Sequence, residues 1–244
     1  MALPKIDTPI YETKLLSTGK KVKYRPFLVK EQKLFLMASQ SEDVKEVVDT
    51  IKQVLNNCIL SDGIDVNTLP VFDLEQLFLQ IRARSVGEVV TLRYTCNNDV
   101  PVENAEPKKC GGVVSVDVNL LEIQPTKDTT HTSKIELTPK LGIVMKYPNF
   151  DIVQRLNIKS EVDLLNLVVD CIDYVYDQDQ LYYAKDTKKE ELEEFIENLQ
   201  QSDLEKIQHF FKTMPKLSKK FEFKCPKCGY KEEMNVEGIQ NFFV

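Results

Sequence analysis

The sequence is poor in the residues that build most catalytic centres and membrane spans. It has no tryptophan and only two histidines, His131 and His209, in 244 residues. It contains neither a phosphate-cradling glycine loop nor a His-Glu-x-x-His motif, and neither histidine has a nucleophile motif beside it. All its apolar runs are shorter than a membrane span requires. These absences argue against an enzyme and against an integral membrane protein.

Signals for export and for general nucleic-acid binding are also missing. The first seven residues become polar almost at once, so we expect no secretory signal peptide and no oxidising compartment. The formal net charge of −6 argues against attraction of nucleic acid to the whole surface. With 42% hydrophobic residues and only 8 glycines, the composition is typical of a soluble, helix-rich fold with one large domain or two small ones.

Four of the six cysteines form two pairs that lie far apart in the chain. In the later pair, Cys225 and Cys228, two residues separate the cysteines and a glycine follows, the spacing of a knuckle that wraps thiolates around a tetrahedral metal ion. Each pair lies between two strand-like runs, 89–95 and 113–118 or 220–224 and 231–236, so each is predicted to sit at the tip of a hairpin. The sequence therefore predicts a four-cysteine zinc ribbon that holds one zinc ion. Its ligands are Cys225, Cys228, Cys96 and Cys110.

This predicted site is structural, because four thiolates fill the coordination sphere of zinc and leave no place for an activated water. Two disulfides, or unrelated free thiols, are the alternatives. The gap between Cys96 and Cys110 is much longer than the usual two to four residues, and residues 97–109 are predicted to form a polar excursion. The other cysteines, Cys58 and Cys171, are predicted to be buried small hydrophobes, with a redox or second-metal role as the alternative.

Hydrophobic periodicity predicts a strand, three helices and a second strand, in this order, in the first part of the chain. A strand begins at Lys21 and stops at a proline, and helices are predicted over residues 31–38 and 41–60. Pro70 is predicted to open a third helix, which ends at Gly87. The strand that leads to the first cysteine pair follows.

The same order recurs later in the chain. A strand over residues 142–148 and a helix over residues 160–174 repeat the first strand and the helix that contains Cys58. Asp73-Leu-Glu lies 23 positions before Cys96, and Asp203-Leu-Glu lies 22 positions before Cys225. We infer an internal duplication, with the metal where the two halves meet. Chance similarity between helical segments is the alternative.

Together these patterns predict a fold and its parts. The fold class is α+β, with internally duplicated, helix-rich halves joined by a two-hairpin, four-cysteine zinc ribbon. An N-terminal arm covers residues 1–20, the first half residues 21–120, a connector residues 121–140, and the second half residues 141–244.

Lysines crowd around the second cysteine pair. They are Lys216, Lys219, Lys220, Lys224, Lys227 and Lys231. On a strand they are predicted to form a solvated face, and the alternative is a phosphate-binding patch. The second interpretation makes a zinc-ribbon nucleic-acid-binding factor the competing hypothesis for function.

Two strings in the first half are distinctive. One begins at Lys21 and reads KVKYRPFLVKEQK, and the other begins at Leu69 and reads LPVFDLEQLFLQIRARSVGE. Both strings, with the paired cysteine hairpins, resemble the baseplate hub assembly family of T4-type contractile-tailed bacteriophages. The resemblance covers residues 21–236 and departs from the family at the long gap between Cys96 and Cys110.

The resemblance implies a non-enzymatic late protein of the infected bacterial cytoplasm, either released after assembly or retained in the virion tail baseplate. Its implied partners are other baseplate hub or tail proteins, with no small-molecule substrate, membrane or nucleic acid among them. Candidate contact segments are residues 2–19 and 238–244, and the terminal Phe-Phe-Val either binds a partner or covers its own core. Arg82, Arg84 and Glu88 either face a partner or pair within the chain.

Overall fold

The computed structural model describes residues 7–38, 40, 44–102, 105–155 and 161–238. Within these ranges the chain is a mixed α/β structure with seven α-helices and several small antiparallel sheets. No helix in the described ranges is long and apolar enough to cross a bilayer.

The first elements form a hairpin followed by three helices. Strands β1 (Tyr11–Lys14) and β2 (Lys21–Tyr24) pair antiparallel, and helices α1 (Val29–Ala38), α2 (Val44–Cys58) and α3 (Val71–Val86) follow. The predicted start of the second helix at Ser41 lies outside the described residues. This helix ends at Cys58 and not at Leu60, because Ile59 leaves it to form a β-bridge with Tyr24. Pro70 precedes α3 and Gly87 ends it, as predicted.

The first cysteine hairpin consists of β3 (Val89–Thr95) and β6 (Val113–Asn119), which pair in antiparallel register over their full length. The polar excursion predicted over residues 97–109 is largely ordered as a second hairpin. Its strands are β4 (Asp99–Val102) and β5 (Ala105–Lys109). The predicted excursion is thus a paired hairpin, and its prolines, Pro101 and Pro107, lie in strands that each pair with only one other described strand.

The later elements build a four-stranded sheet, four helices and the second cysteine hairpin. They are β7 (Pro125–Thr126), β8 (Lys134–Glu136), β9 (Gly142–Met145), α4 (Phe150–Arg155), α5 (Glu161–Asp170), β10 (Ile172–Tyr176), β11 (Leu181–Tyr183), α6 (Lys189–Glu197), α7 (Gln201–Thr213), β12 (Lys216–Lys224) and β13 (Lys231–Glu237). The sheet has the order β11-β10-β9-β8, and β12 lies between β13 and β7.

The helix predicted over residues 160–174 is shorter than expected. Helix α5 ends at Asp170, and residues 172–174 belong to strand β10. The residues Ile172, Tyr174 and Val175 are β-branched or aromatic, and they pair with the edge that β9 offers. Sheet pairing therefore overrides the helical period at this point.

The same backbone hydrogen bond occurs twice, at the C-terminal ends of α2 and α5. The N–H of Arg25 donates to the carbonyl of Cys58 at 2.9 Å, and the N–H of Lys146 donates to the carbonyl of Cys171 at 2.8 Å. In both places a hairpin, β1–β2 or β8–β9, also pairs through its second strand with the segment that follows the cysteine.

The hydrophobic core divides into two main clusters. One joins α2 and α3 to both strands of the first cysteine hairpin, and it also contains Leu217 of β12 and Val236 of β13. The other packs α5, α6 and α7 against β8, β9 and β10. The second cysteine hairpin, which follows α7 in the chain, thus packs into the core that α2 and α3 build.

An aromatic contact joins α3 to the later part of the chain beside this crossing. Tyr147 packs edge-on against Phe72 of α3 with ring centroids 5.1 Å apart. His131 lies in a loop, as predicted, but it is buried between Tyr147 and Thr213, with hydrogen bonds of 2.9 Å and 3.0 Å to their hydroxyls. His209 is exposed on α7. Both ring nitrogens of His131 therefore have hydrogen-bond partners within the fold.

A buried carboxylate anchors the N-terminal hairpin. Asp73 on α3 is fully buried and accepts hydrogen bonds from the N–H groups of Leu16 and Ser17 and from the Ser17 hydroxyl. Burial raises the pKa of this carboxyl, while the three donors oppose that rise. Asp203, the residue predicted to match it, is partly exposed and pairs with Lys206 instead.

We expect Asp73→Ala to lower the free energy of unfolding by about 1–3 kcal/mol, because two backbone donors and one hydroxyl lose their buried acceptor. Asp203→Ala is the matched control and should cost less than about 0.5 kcal/mol. Urea unfolding followed by circular dichroism measures both. Equal losses for the two variants would contradict the anchoring role of Asp73.

Candidate metal centre

Both cysteine hairpins end in the same turn. The N–H of Cys96 donates to the carbonyl of Gly112 at 2.7 Å, as the N–H of Cys225 does to the carbonyl of Tyr230 at 2.8 Å. Each of these acceptors lies two positions after the second cysteine of its pair. The strands therefore present both cysteine pairs in equivalent positions.

Glycines with positive φ close both turns. Gly111 has φ +62° and donates to the carbonyl of Cys96 at 3.0 Å, and Gly229 has φ +74° and donates to the carbonyl of Cys225 at 2.9 Å. A residue with a Cβ is strained at such angles, so glycine suits this place. The first turn is thus a knuckle like the second.

The inserted hairpin β4–β5 leaves this knuckle geometry intact. The N–H of Cys110 donates to the carbonyl of Asn98 at 2.8 Å, which brings the two ends of the insertion together at its base. The extra residues therefore extend away from the turn without separating its thiols. The long gap between Cys96 and Cys110 does not prevent them from acting as one pair.

The four predicted cysteines come together. Their Sγ atoms all lie within 4.8 Å of one another, with 3.8 Å between Cys96 and Cys228 and 3.7 Å between Cys110 and Cys225. Sulfur atoms bound tetrahedrally at about 2.3 Å from a zinc ion are about 3.8 Å apart. A disulfide would need about 2.05 Å, and all four thiols are free. The donor set fits a tetrahedral, thiophilic metal ion.

The cluster is enclosed by its own small hydrophobic core. Cys96, Cys110 and Cys225 are buried, Cys228 is partly exposed, and the neighbours include Val114 of β6 and Phe223 of β12. The ring of Phe223 stacks on Tyr94 of β3 with centroids 6.4 Å apart and planes 8° apart. This stack joins the two hairpins beside the thiols.

Backbone N–H groups at the knuckles favour negative charge on sulfur. The N–H groups of Cys228 and Lys227 lower the pKa of the Cys225 thiol to about 6. At Cys96 the N–H of Asn98 acts in the same direction, but burial and the neighbouring thiols prevail and raise the pKa to about 12. Burial also raises the pKa of Cys110. A bound cation favours thiolates at all four positions, so binding is coupled to proton release.

Three residues besides the four cysteines support the cluster, and the sequence pattern did not identify them as neighbours of the thiols. Asn98 places its amide nitrogen 3.8 Å from the Sγ of Cys228, and Lys227 donates to the carbonyl of Cys110 at 2.6 Å. A Cβ on Gly112 would lie only 2.8 Å from the Sγ of Cys225. The pair of glycines after Cys110 was the signal in the sequence for such a close approach.

The other predicted residues have structural partners. Cys58 and Cys171 are fully buried, as expected, and burial raises the pKa of their thiols to about 11 and about 12. Arg84 pairs with Glu88 at 2.5 Å and lies over the ring of Tyr11. Arg84 and Glu88 therefore pair with each other within the chain.

The lysine cluster of the second hairpin is partly neutralised. Lys219 pairs with Glu122 at 3.7 Å, Lys220 pairs with Glu233 at 2.7 Å, and Lys227 is used at the knuckle. The remaining lysines, Lys216, Lys224 and Lys231, form no ion pair with a described residue. Because glutamates neutralise part of its charge, the lysine cluster is poorly suited to binding a phosphate backbone.

Gly112→Ala should weaken the binding of a thiophilic metal ion about tenfold, because the added methyl group displaces the Cys225 sulfur or the backbone of its knuckle. Val113→Ala, at the neighbouring exposed position, should leave the affinity unchanged. Competition with a chromogenic chelator measures both affinities. An unchanged affinity in Gly112→Ala would show that the cluster accommodates a methyl group at this position, and it would contradict the prediction.

Comparison with known proteins identifies the chain's relatives. The model of the family described as T4 bacteriophage base plate protein matches residues 8–244, nearly the whole chain. No curated protein and no solved structure matches it. The resemblance to T4-type baseplate proteins found in the sequence is confirmed at this level, and the chain belongs to the T4 bacteriophage base plate protein family.

Proposed function

We propose that this protein is a non-enzymatic part or assembly factor of the phage tail baseplate, acting at the central hub through contacts with other tail proteins. The family match over residues 8–244 is the observation that carries the proposal. The architecture agrees with it, because the thiol cluster has the composition of a closed structural site. We infer that the protein acts in the host cytoplasm and enters the tail baseplate there.

One zinc ion held by Cys96, Cys110, Cys225 and Cys228 would join the two halves. The free energy of zinc binding to such thiolates is comparable with the net stability of a whole domain. Neither hairpin alone offers more than two of these four ligands. The ion would therefore hold surfaces of both halves at a fixed separation, as an assembly scaffold needs.

The two halves are further proposed to descend from one duplicated unit. Support comes from the matching bonds of Arg25 and Lys146 and from the matching turns at the two knuckles. The hairpin β1–β2 would then correspond to β8–β9, which extends the repeat beyond the boundaries read from the sequence. An experimental structure in which residues 11–119 do not superpose on residues 134–237 in strand order and helix direction would end this proposal.

Native mass spectrometry of the purified chain should find one zinc ion per chain. The double variant Cys96→Ser, Cys110→Ser should lose it, because the remaining knuckle supplies only two thiolates. A Cys58→Ser, Cys171→Ser variant is the matched control and should retain the ion, since neither residue belongs to the cluster. A folded metal-free wild type, or full zinc retention in the first variant, contradicts the proposed site.

Deleting the gene from an infecting phage should leave heads and free tail components but no functional tails. Plasmid-borne wild type should restore tails, Cys225→Ser should fail through misfolding, and His209→Gln should restore them fully. Electron microscopy and plaque counts provide the measurement. Normal tails without the gene would reject the assembly role. A defect confined to DNA synthesis or transcription, with intact baseplates, would favour the nucleic-acid hypothesis instead.

A further inference from the structure

The four-stranded sheet has two different faces. Residues that pair directly across neighbouring strands share a face, and Ile135, Ile143 and Val175 form the buried row that packs on the helices. The opposite face carries a group of large side chains, which we call the aromatic sheet face. It consists of Tyr174, Tyr176, Leu181 and Tyr183.

The aromatic sheet face lies outside all three hydrophobic clusters of the described residues. Leu181 is 48% exposed and Tyr183 is 41% exposed. The rings of Tyr174 and Tyr183 pack on each other with centroids 5.5 Å apart, and Tyr176 lies so close to Gly142 that a Cβ there would overlap its hydroxyl. The tyrosines are therefore held in place while Tyr183 remains exposed and Tyr174 and Tyr176 are only partly buried, which is typical of anchors at protein interfaces.

Strand β11 also leaves one side of its backbone unpaired with another strand. It is the terminal strand of the sheet, and the N–H of Asp177 bonds to the carbonyl of Gln180 across the turn before it. The alternation of an antiparallel ladder then turns the backbone groups of Leu181 and Tyr183 away from β10. One of them, the Tyr183 carbonyl, accepts the Thr187 hydroxyl at 2.9 Å. The others face the open side of the sheet.

This edge carries neither the prolines nor the lysine contact found on other edges of the described chain. Strands β4 and β5 contain Pro101 and Pro107, and at β8 the ammonium group of Lys206 bonds to the Glu136 carbonyl. Strand β11 contains neither a proline nor a charged residue. Unprotected edges are places where a strand of another chain can be added.

The charges at this edge define the chemistry of the strand that fits it. Lys185 lies 5.4 Å from the centroid of the Tyr183 ring and forms no ion pair with a described residue. Lys134, over the ring of Tyr176 at 4.9 Å, is likewise without an ion pair among the described residues. The carboxylate of Asp177 is already used by two turn N–H groups and the Tyr182 hydroxyl. The two charges that lie directly over the tyrosine rings are thus both cationic, which favours an acidic partner.

We propose that β11 receives an extended segment of another baseplate protein, with apolar side chains against Leu181 and Tyr183 and a carboxylate at Lys185. The segment adds a fifth strand to the sheet through the open backbone groups of β11. This inference rests on the proposed function, and it names the surface and the kind of partner that the function requires. A segment with alternating apolar and acidic residues satisfies both the strand period and the charge.

The test uses the full chain and the purified baseplate proteins of the same phage, added one at a time. Calorimetry should detect binding of one of them, and hydrogen exchange should show slower exchange at the amides of Leu181 and Tyr183 in that complex. Leu181→Glu and Lys185→Glu should each weaken binding about tenfold or more, because both oppose an acidic segment. Lys108→Glu makes the same charge change on β5 and should leave the affinity within about twofold.

The other outcomes are distinguishable. If a baseplate protein binds the wild type, Leu181→Glu and Lys185→Glu equally, the inference is overturned and the proposed function stands. If none binds the wild type, the proposed function fails and the inference fails with it. Slower exchange of Leu181 and Tyr183 that grows with concentration in the chain alone would identify a second copy as the occupant. The same protection caused by an oligonucleotide would identify nucleic acid. Either result overturns the proposal.

Discussion

The convergence of two distant hairpins is the constraint on which this structure depends. Four sulfur atoms lie within 4.8 Å of one another only because β3–β6 and β12–β13 lie side by side over one core. Leu217 and Val236 of the later hairpin fill space among helices of the first half. Hydrophobic burial thus brings the knuckles together, and a metal ion would add to an arrangement that packing has already selected.

Local signals in the sequence were sufficient for the cysteine centre. The spacing of Cys225 and Cys228, with alternating residues on both sides, predicted a hairpin with a knuckle at its tip, and both cysteine hairpins form as predicted. The same kind of signal misled at residues 172–174, where a helical period continues into β10. That strand exists because β9 supplies a pairing edge, and a period read along one segment cannot include a partner 27 or more positions away.

Long-range polar contacts were beyond what the sequence could show. Asp73 looked like the first turn of a helix, yet it binds the turn at Leu16 and Ser17, 56 to 57 positions earlier. His131 looked like an ordinary loop residue, yet it reaches Thr213 on α7. The aromatic sheet face was equally hidden, because the tyrosines of β10 and β11 become one surface only when the sheet register places them opposite each other. The sequence shows which side chains are present, whereas the residues that each side chain contacts depend on the whole fold.

The sequence distance between the cysteine pairs has a consequence for how the chain matures. Cys110 and Cys225 are 115 positions apart, and Cys96 and Cys228 are 132 positions apart. Contacts of such separation form late, after loop closure has been compensated by local structure. During synthesis the first knuckle has only its own two thiols as ligands until β12 and β13 have been made and have folded against it. Coordination of a metal ion by four thiolates would therefore require a chain that contains both hairpins. Shorter chains would bind the metal ion at most weakly.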